Sequence, residues 1–300
     1  MNYKVLLFYK YIKLDNLEDL KNSQREICEK LNLKGRTIIA EEGINSTLGG
    51  LEQDINKYIG FMKSDERFAD IDYKLSNGVS ENDFPRLSVK VRPEIVATHL
   101  GKDDINPVQV TGEYITADEL HNWFRTNKEF YLVDMRNTFE YKVGHFENSI
   151  DSTFDRFRDL PEILKKIEHL KNKVIVTACT GGVRCEKASG VLVKAGFKNV
   201  FQLYGGMHTY MQKFPGDDFL GKLYVFDGRI TIDFLNDESK RVVVGKCDLC
   251  GVASENYVNC TNDICHKHFI CCNGCLDKNS NQAFCSKECS QLFIRLSTSL

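Results

Sequence analysis

Between Val174 and Lys187 the chain reads Val-Ile-Val-Thr-Ala-Cys-Thr-Gly-Gly-Val-Arg-Cys-Glu-Lys. A β-branched apolar run ends at Cys179, two glycines follow, Arg184 closes the segment and a helical pattern begins. This layout predicts a buried strand, a sharp turn and a helix over 185–195, with one thiol at the carboxyl end of a sheet, where α/β folds build their sites. Gly181 and Gly182 allow the backbone N–H groups of Thr180, Gly181, Gly182 and Val183 to turn inward around an anion. The helix start and the permanent charge of Arg184 add to the same field. Each of these favours the thiolate, the reactive form of cysteine. A buried structural cysteine is the alternative for any lone Cys, and the ordered combination argues against it. Cys185 has two readings: a resolving thiol for Cys179, or an inward helix residue packed with Ala188 and Leu192.

The flanking segments repeat an alternation of strands and helices. A capping box, Thr116 with Glu119, opens a helix containing Leu120, Trp123 and Phe124. Strands are predicted at Phe130–Asp134, Val174–Ala178 and Val200–Leu203, and helices near Pro161–Leu170 and Met207–Lys213. Such alternation implies a parallel sheet covered on both faces. Asp134 and Arg136, at a neighbouring strand end, are expected to pair with each other or to brace the thiol loop, and direct catalysis by either is the less favoured reading. His145 is expected to be structural, and nothing in the sequence places His208.

The first hundred residues read as β-α-β-β-α-β, a ferredoxin-like or acylphosphatase-like α+β sandwich. Its first helix carries Leu17, Leu20, Ile27 and Leu31, with Asn16 as the cap and Gly35 as the terminator. Glu41 and Glu42 are expected to orient or support rather than to form an acid/base pair, because adjacent strand-end residues face opposite ways. A stretch with Gly101, Asp103, Asp104, Asn106 and Pro107 reads as a linker. Arg86, Lys90, Arg92 and Lys102 are either part of a nucleic-acid surface or a solvated strand edge.

Of the 12 cysteines, nine follow Lys246. Cys247, Cys250, Cys260, Cys265, Cys272, Cys275, Cys285 and Cys289 form four short-spaced pairs, enough for two closed all-cysteine zinc sites of structural type. Spacing leaves their pairing open, and Cys271, His266 and His268 are surplus candidates. Reduced, metal-free thiols are the alternative. The domain expectation is therefore 1–100, 110–215 and 216–300. Net charge is −2, which argues against broad, non-specific nucleic-acid binding. No apolar run spans a membrane and no signal peptide is evident, so a cytoplasmic protein is expected.

Tyr131-Leu132-Val133-Asp134-Met135-Arg136 with Gly144-His145-Phe146, the Cys179 loop, and Leu203-Tyr204-Gly205-Gly206 resemble the signatures of a rhodanese domain. With Glu41-Glu42-Gly43-Ile44-Asn45 before them and the cysteine-rich tail after, the whole chain is similar to the rhodanese-related tRNA uridine hydroxylases. The resemblance implies an oxidoreductase that converts the wobble uridine of tRNA to 5-hydroxyuridine, with molecular oxygen as co-substrate and Cys179 as nucleophile. It makes the anticodon loop of tRNA the partner and names no protein partner. Arg184 and the loop N–H groups are expected to stabilise an anionic intermediate, and no haem or flavin motif is present. A persulfide-forming sulfurtransferase is the alternative function, and a non-catalytic adaptor is a third class.

Overall fold

The computed structural model describes residues 2–237, 239, 241–265, 267–278 and 281–297. The chain opens with β1 (Tyr3–Tyr11), α1 (Leu17–Lys30), β2 (Lys34–Ala40), β3 (Gly43–Leu51), α2 (Glu52–Lys63) and β4 (Lys74–Asn77), followed by β5 (Leu87–Val91). The sheet order is β4-β1-β3-β2-β5, the ferredoxin-like arrangement with β5 added parallel to β2. One sheet face meets α1 and α2 through Phe8, Leu20, Cys28, Ile39, Ile55 and Tyr58, all buried. The other face carries Leu7, Tyr9 and Tyr11 toward the second domain.

Two local expectations change. Asn16 stands at the N-cap position of α1 in a left-handed conformation, and its side chain makes no cap bond; Glu18 and Asp19 supply the favourable charge in the first turn instead. The helix ends at Lys30 rather than at Gly35. Asn32 takes the left-handed turn (φ 52°), Leu33 N–H caps the Cys28 carbonyl at 2.8 Å, and Gly35 already lies inside β2.

The second domain comprises β6 (Glu113–Ile115), α3 (Ala117–Arg125), β7 (Tyr131–Asp134), α4 (Thr138–Val143), β8 (Gly144–Phe146), β9 (Ile150–Asp151), α5 (Pro161–Ile167), β10 (Val174–Ala178), α6 (Val183–Lys194), β11 (Asn199–Leu203) and α7 (Gly206–Lys213). Its five-stranded sheet runs β6-β11-β10-β7-β9, with every neighbouring pair parallel. Apolar clusters fill both faces: Val133, Ile163, Ile175, Ala188 and Leu192 on one, Leu120, Val176, Leu203 and Tyr210 on the other. Central β10 is thus buried on both sides, as its unbroken apolar run requires. The Thr116–Glu119 capping box is present.

Past residue 216 the chain stays on this domain before it leaves. β12 (Phe219–Gly221) pairs antiparallel with β8, and β13 (Leu223–Tyr224) forms a hairpin with β14 (Thr231–Ile232). The tail then folds as β15 (Tyr257–Asn259), β16 (His268–Ile270), α8 (Asn273–Lys278) and α9 (Lys287–Ser297) around a small cluster that includes Cys260, Phe269 and Phe284. Among the described residues no helix is long and apolar enough to cross a membrane.

Candidate active site

β10 delivers Cys179 to the carboxyl edge of the parallel sheet, and Gly182 (φ 105°) turns the chain directly into α6. The helix therefore starts at Val183, two residues before the expected Cys185, because Gly182 itself occupies the cap position. The earlier start aims more N–H groups at the sulfur. Gly182 N–H donates to Cys179 Sγ at 3.2 Å, and the N–H groups of Arg184 and Cys185 and the Cys185 thiol act on it too. The cysteine is fully buried, which by itself would push its thiol up. These donors and the charge of Arg184 outweigh burial and bring it down to about 6. The surroundings of Cys179 thus favour its thiolate form.

Cys185 combines features of both its readings. It packs in the core beside Ala188 and Leu192 and also donates to Cys179, and burial followed by that hydrogen bond drives its own thiol well upward. Arg184 differs from expectation in one respect. Its Nη1 and Nη2 donate to the two oxygens of Glu140 at 2.6 and 2.8 Å, so the fork is already filled and the guanidinium acts on the thiolate as a fixed charge. Glu140 itself is fully buried on α4. Asp134 and Arg136 form a buried bidentate pair, with Nε to Oδ1 at 3.0 Å and Nη2 to Oδ2 at 2.7 Å. Arg136 Nη2 also donates to the Gly144 carbonyl, and Met135 N–H donates to the Ala178 carbonyl at 2.8 Å. Both residues hold the strand ends on which the loop sits.

The N-terminal sheet forms the opposite wall. A side chain at Gly181 would meet Leu7 Cδ2 at 2.7 Å, and one at Gly182 would meet Tyr9 Oη at 2.7 Å, so glycine permits the close approach of two domains. Tyr9 Oη donates to Glu186 at 3.0 Å, and Tyr11 Oη to the Val183 carbonyl at 3.2 Å. Lys187, with no exposed side-chain surface, binds Glu42 (2.9 Å), Glu94 (3.2 Å) and Asp104 (2.8 Å). Glu42 is thus a structural anchor, and the stretch read as a linker is half of an interdomain clamp. The second half of the thiol motif, Glu186-Lys187, was not recognised from sequence as the docking point for the first domain.

Between the walls lies a cavity of about 790 Å³ that reaches Cys179, Thr180, Gly181, Val183 and Arg184. Arg36, Arg92, Arg156, Arg158 and Arg229 line it from all three parts of the chain. Of the four basic residues picked out from sequence only Arg92 takes part; Arg86, Lys90 and Lys102 are exposed elsewhere. Scattered over almost two hundred positions, the other arginines carry no local signal. His208 also lines the cavity: its N–H donates to the Thr180 carbonyl, its Nδ1 has no partner, and burial together with Lys74 and Arg229 lowers its pKa to about 4. It is a neutral imidazole in the site wall. His145 instead stacks on Tyr141 with a ring nitrogen 2.9 Å from the Tyr141 carbonyl, a structural role.

Residues 3–95 match the family model described as UPF0176 acylphosphatase like domain, 116–213 the Rhodanese-like domain and 220–290 the Rhodanase C-terminal model. The chain is 42% identical over 273 residues to the tRNA uridine(34) hydroxylase of Staphylococcus epidermidis, covering 90% of this chain and 84% of that one. The chain belongs to the tRNA uridine(34) hydroxylase family. Similarity extends to distant members: the Cytophaga hutchinsonii protein of that name is 36% identical over 288 residues, covering 96% of this chain and 90% of its own.

The tail of this family member brings its cysteines together in two sets, Cys247, Cys250, Cys272 and Cys275, and Cys260, Cys265, Cys285 and Cys289. Within each set all sulfurs lie within 4.8 Å of one another, close enough to hold a metal ion. The first pair joins the third and the second joins the fourth, an interleaved pattern that spacing could not reveal. Cys271 is buried outside both sets, His268 stacks on Tyr257, and His266 lies outside the described residues.

Proposed function

We propose that this protein hydroxylates C5 of the wobble uridine in the anticodon loop of tRNA, with Cys179 as nucleophile and molecular oxygen as co-substrate. The observation that carries the reading is that Cys179, surrounded by N–H donors that favour its thiolate, lines a cavity that arginines also line. Single-stranded loops can splay their bases into such a site, and the target base must leave its stack to reach the sulfur. The Cys179 thiolate adds to C6 of uracil, and charge moves into the C4–C5 enolate. The fixed charge of Arg184 and the loop N–H groups favour the anionic species on either side of this step. C5 then gains one oxygen atom of O2; the other leaves as water, which consumes two protons and two electrons from an external reductant. Loss of the C5 proton and elimination of the thiolate release 5-hydroxyuridine and regenerate Cys179.

The mechanism is tested with full-length protein, tRNA, an added two-electron reductant and ¹⁸O2 by mass spectrometry of the nucleosides. One labelled oxygen is expected in 5-hydroxyuridine, and Cys179→Ser is expected to reduce its formation by about 10⁴-fold or more. Normal product from the serine variant would refute the mechanism. Thiolated nucleosides in its place would establish sulfur transfer.

We further propose that each cysteine set holds one structural zinc. A tetrahedral ion with Zn–S bonds of about 2.3 Å needs sulfurs about 3.8 Å apart. The pairs Cys250–Cys272, Cys260–Cys289 and Cys265–Cys285 stand at 3.6, 3.5 and 3.6 Å. All-cysteine sites leave no open position, so such zinc would stabilise the tail and take no part in chemistry.

A further inference from the structure

Between β13 and β14 the chain makes a tight turn whose geometry is determined several times over. Arg229 Nε and Nη2 close on Asp227 at 2.8 and 2.6 Å, and both side chains are almost completely buried. Arg229 Nη1 also donates to Ser76 Oγ (2.8 Å) and the Asn77 carbonyl (2.7 Å) of β4, and Gly228 N–H to the Asp83 carbonyl (2.7 Å). The turn thereby ties the tail to the rim of the first domain. Ile230, a β-branched residue, is held at φ 61°, a conformation it adopts only under such constraint.

What this turn presents is Phe226. The ring lines the same cavity as Cys179 and is nevertheless 63% exposed. Tyr224 and Phe139 meet it in edge-type contacts, with centroids 5.2 and 6.4 Å away and interplanar angles of 74° and 86°. Those contacts hold one edge of the ring and leave much of its surface open. An exposed aromatic in a cavity lined by arginines is the arrangement single-stranded nucleic acids use, with bases stacking on rings and phosphates meeting the cations. Arg92 and Arg158 supply cations on the cavity wall. The volume, about 790 Å³, is at the upper end for ligand pockets and leaves room for more than the reacting base.

We propose that Phe226 is the stacking platform for the unpaired nucleotide adjacent to the target uridine, so that the enzyme grips two successive bases: one at Cys179 and one on the ring. The inference rests on the RNA-directed activity proposed above. Its experiment uses the full chain and an anticodon stem-loop RNA carrying 2-aminopurine beside the wobble uridine. Wild-type protein is expected to quench the 2-aminopurine fluorescence by stacking. Phe226→Ala is expected to lose that quenching and to raise KM for the stem-loop by roughly ten- to a hundredfold, with the loss carried by KM rather than kcat. Phe226→Trp should restore both, whereas Phe226→Leu, which retains apolar bulk without a ring face, should not. Unchanged quenching and KM in the alanine variant, or rescue by leucine equal to that by tryptophan, would overturn the platform. If wild-type protein forms no hydroxylated product, the activity reading fails; ring-dependent quenching in that case still supports the platform.

Discussion

The thiol loop and the cysteine-rich tail use the same side chain to opposite ends. Around Cys179 the surroundings are asymmetric: one sulfur receives several donors and a nearby cation, inside the large apolar core of the second domain. In the tail four sulfurs converge on each of two points, and the apolar cluster behind them is small. At Cys179 one sulfur is given many hydrogen-bond donors and no set of further sulfurs beside it. In the tail, the proposed zinc would give many thiolates one common partner. The difference lies in what the neighbours are, since the residue types are identical.

Three changes test that contrast. The largest effect is expected in the tail: Cys272→Ser should lower bound zinc from two ions per chain to one and destabilise the tail by about 5 kcal/mol or more. Metal analysis and limited proteolysis read this, while alkylation of Cys179 should be little altered. Equal loss of Cys179 reactivity would mean the two regions are not independent.

Next, Lys187→Met should cost about 3–5 kcal/mol of stability at neutral pH, because Glu42, Glu94 and Asp104 would be left together without their cation. Their mutual repulsion would raise the carboxyl pKa values in the folded variant. Stability contributed by a raised pKa is full below the unfolded value and lost as pH rises through the folded one, so the deficit should shrink as pH falls toward about 4 and be smallest below it. Denaturant unfolding across pH measures it; a pH-independent deficit would contradict the clamp. The smallest effect concerns the loop itself. Arg184→Gln combined with Glu140→Gln removes the charge that favours the thiolate without leaving a buried carboxylate uncompensated. The Cys179 pKa should rise from about 6 by about one unit, equivalent to about 1.4 kcal/mol, moving the alkylation–pH curve to higher pH.

The features legible in the sequence were the local ones. Strand Val174–Ala178 was read with its observed ends, because apolar β-branched residues followed by a glycine turn admit few alternatives. The start of α6 was misplaced because Gly182 caps the helix by its backbone conformation and leaves no polar side chain as a marker. Glu140, which fills the Arg184 fork, stands 44 residues away, and only the fold reveals that pairing. Glu186 and Lys187 look like ordinary polar positions of a helix face, yet both are buried against groups from the first domain and the segment after it. The tail cysteines stood out by spacing as candidate metal ligands, whereas their interleaving depends on the β15–β16 ladder and the placement of α8 and α9.

The cavity takes its walls from the first hundred residues, from the middle of the chain and from the turn at Asp227–Ile230. During synthesis from the N-terminus, domains tend to fold as they emerge, so the thiol loop forms before the turn that completes its enclosure. Until that turn docks on β4, the cell holds a chain whose Cys179 loop is formed while the cavity around it is unfinished. Completion of the cavity thus arrives last, and a prematurely terminated chain ending before Phe226 would keep the Cys179 loop but lack part of the wall that encloses it.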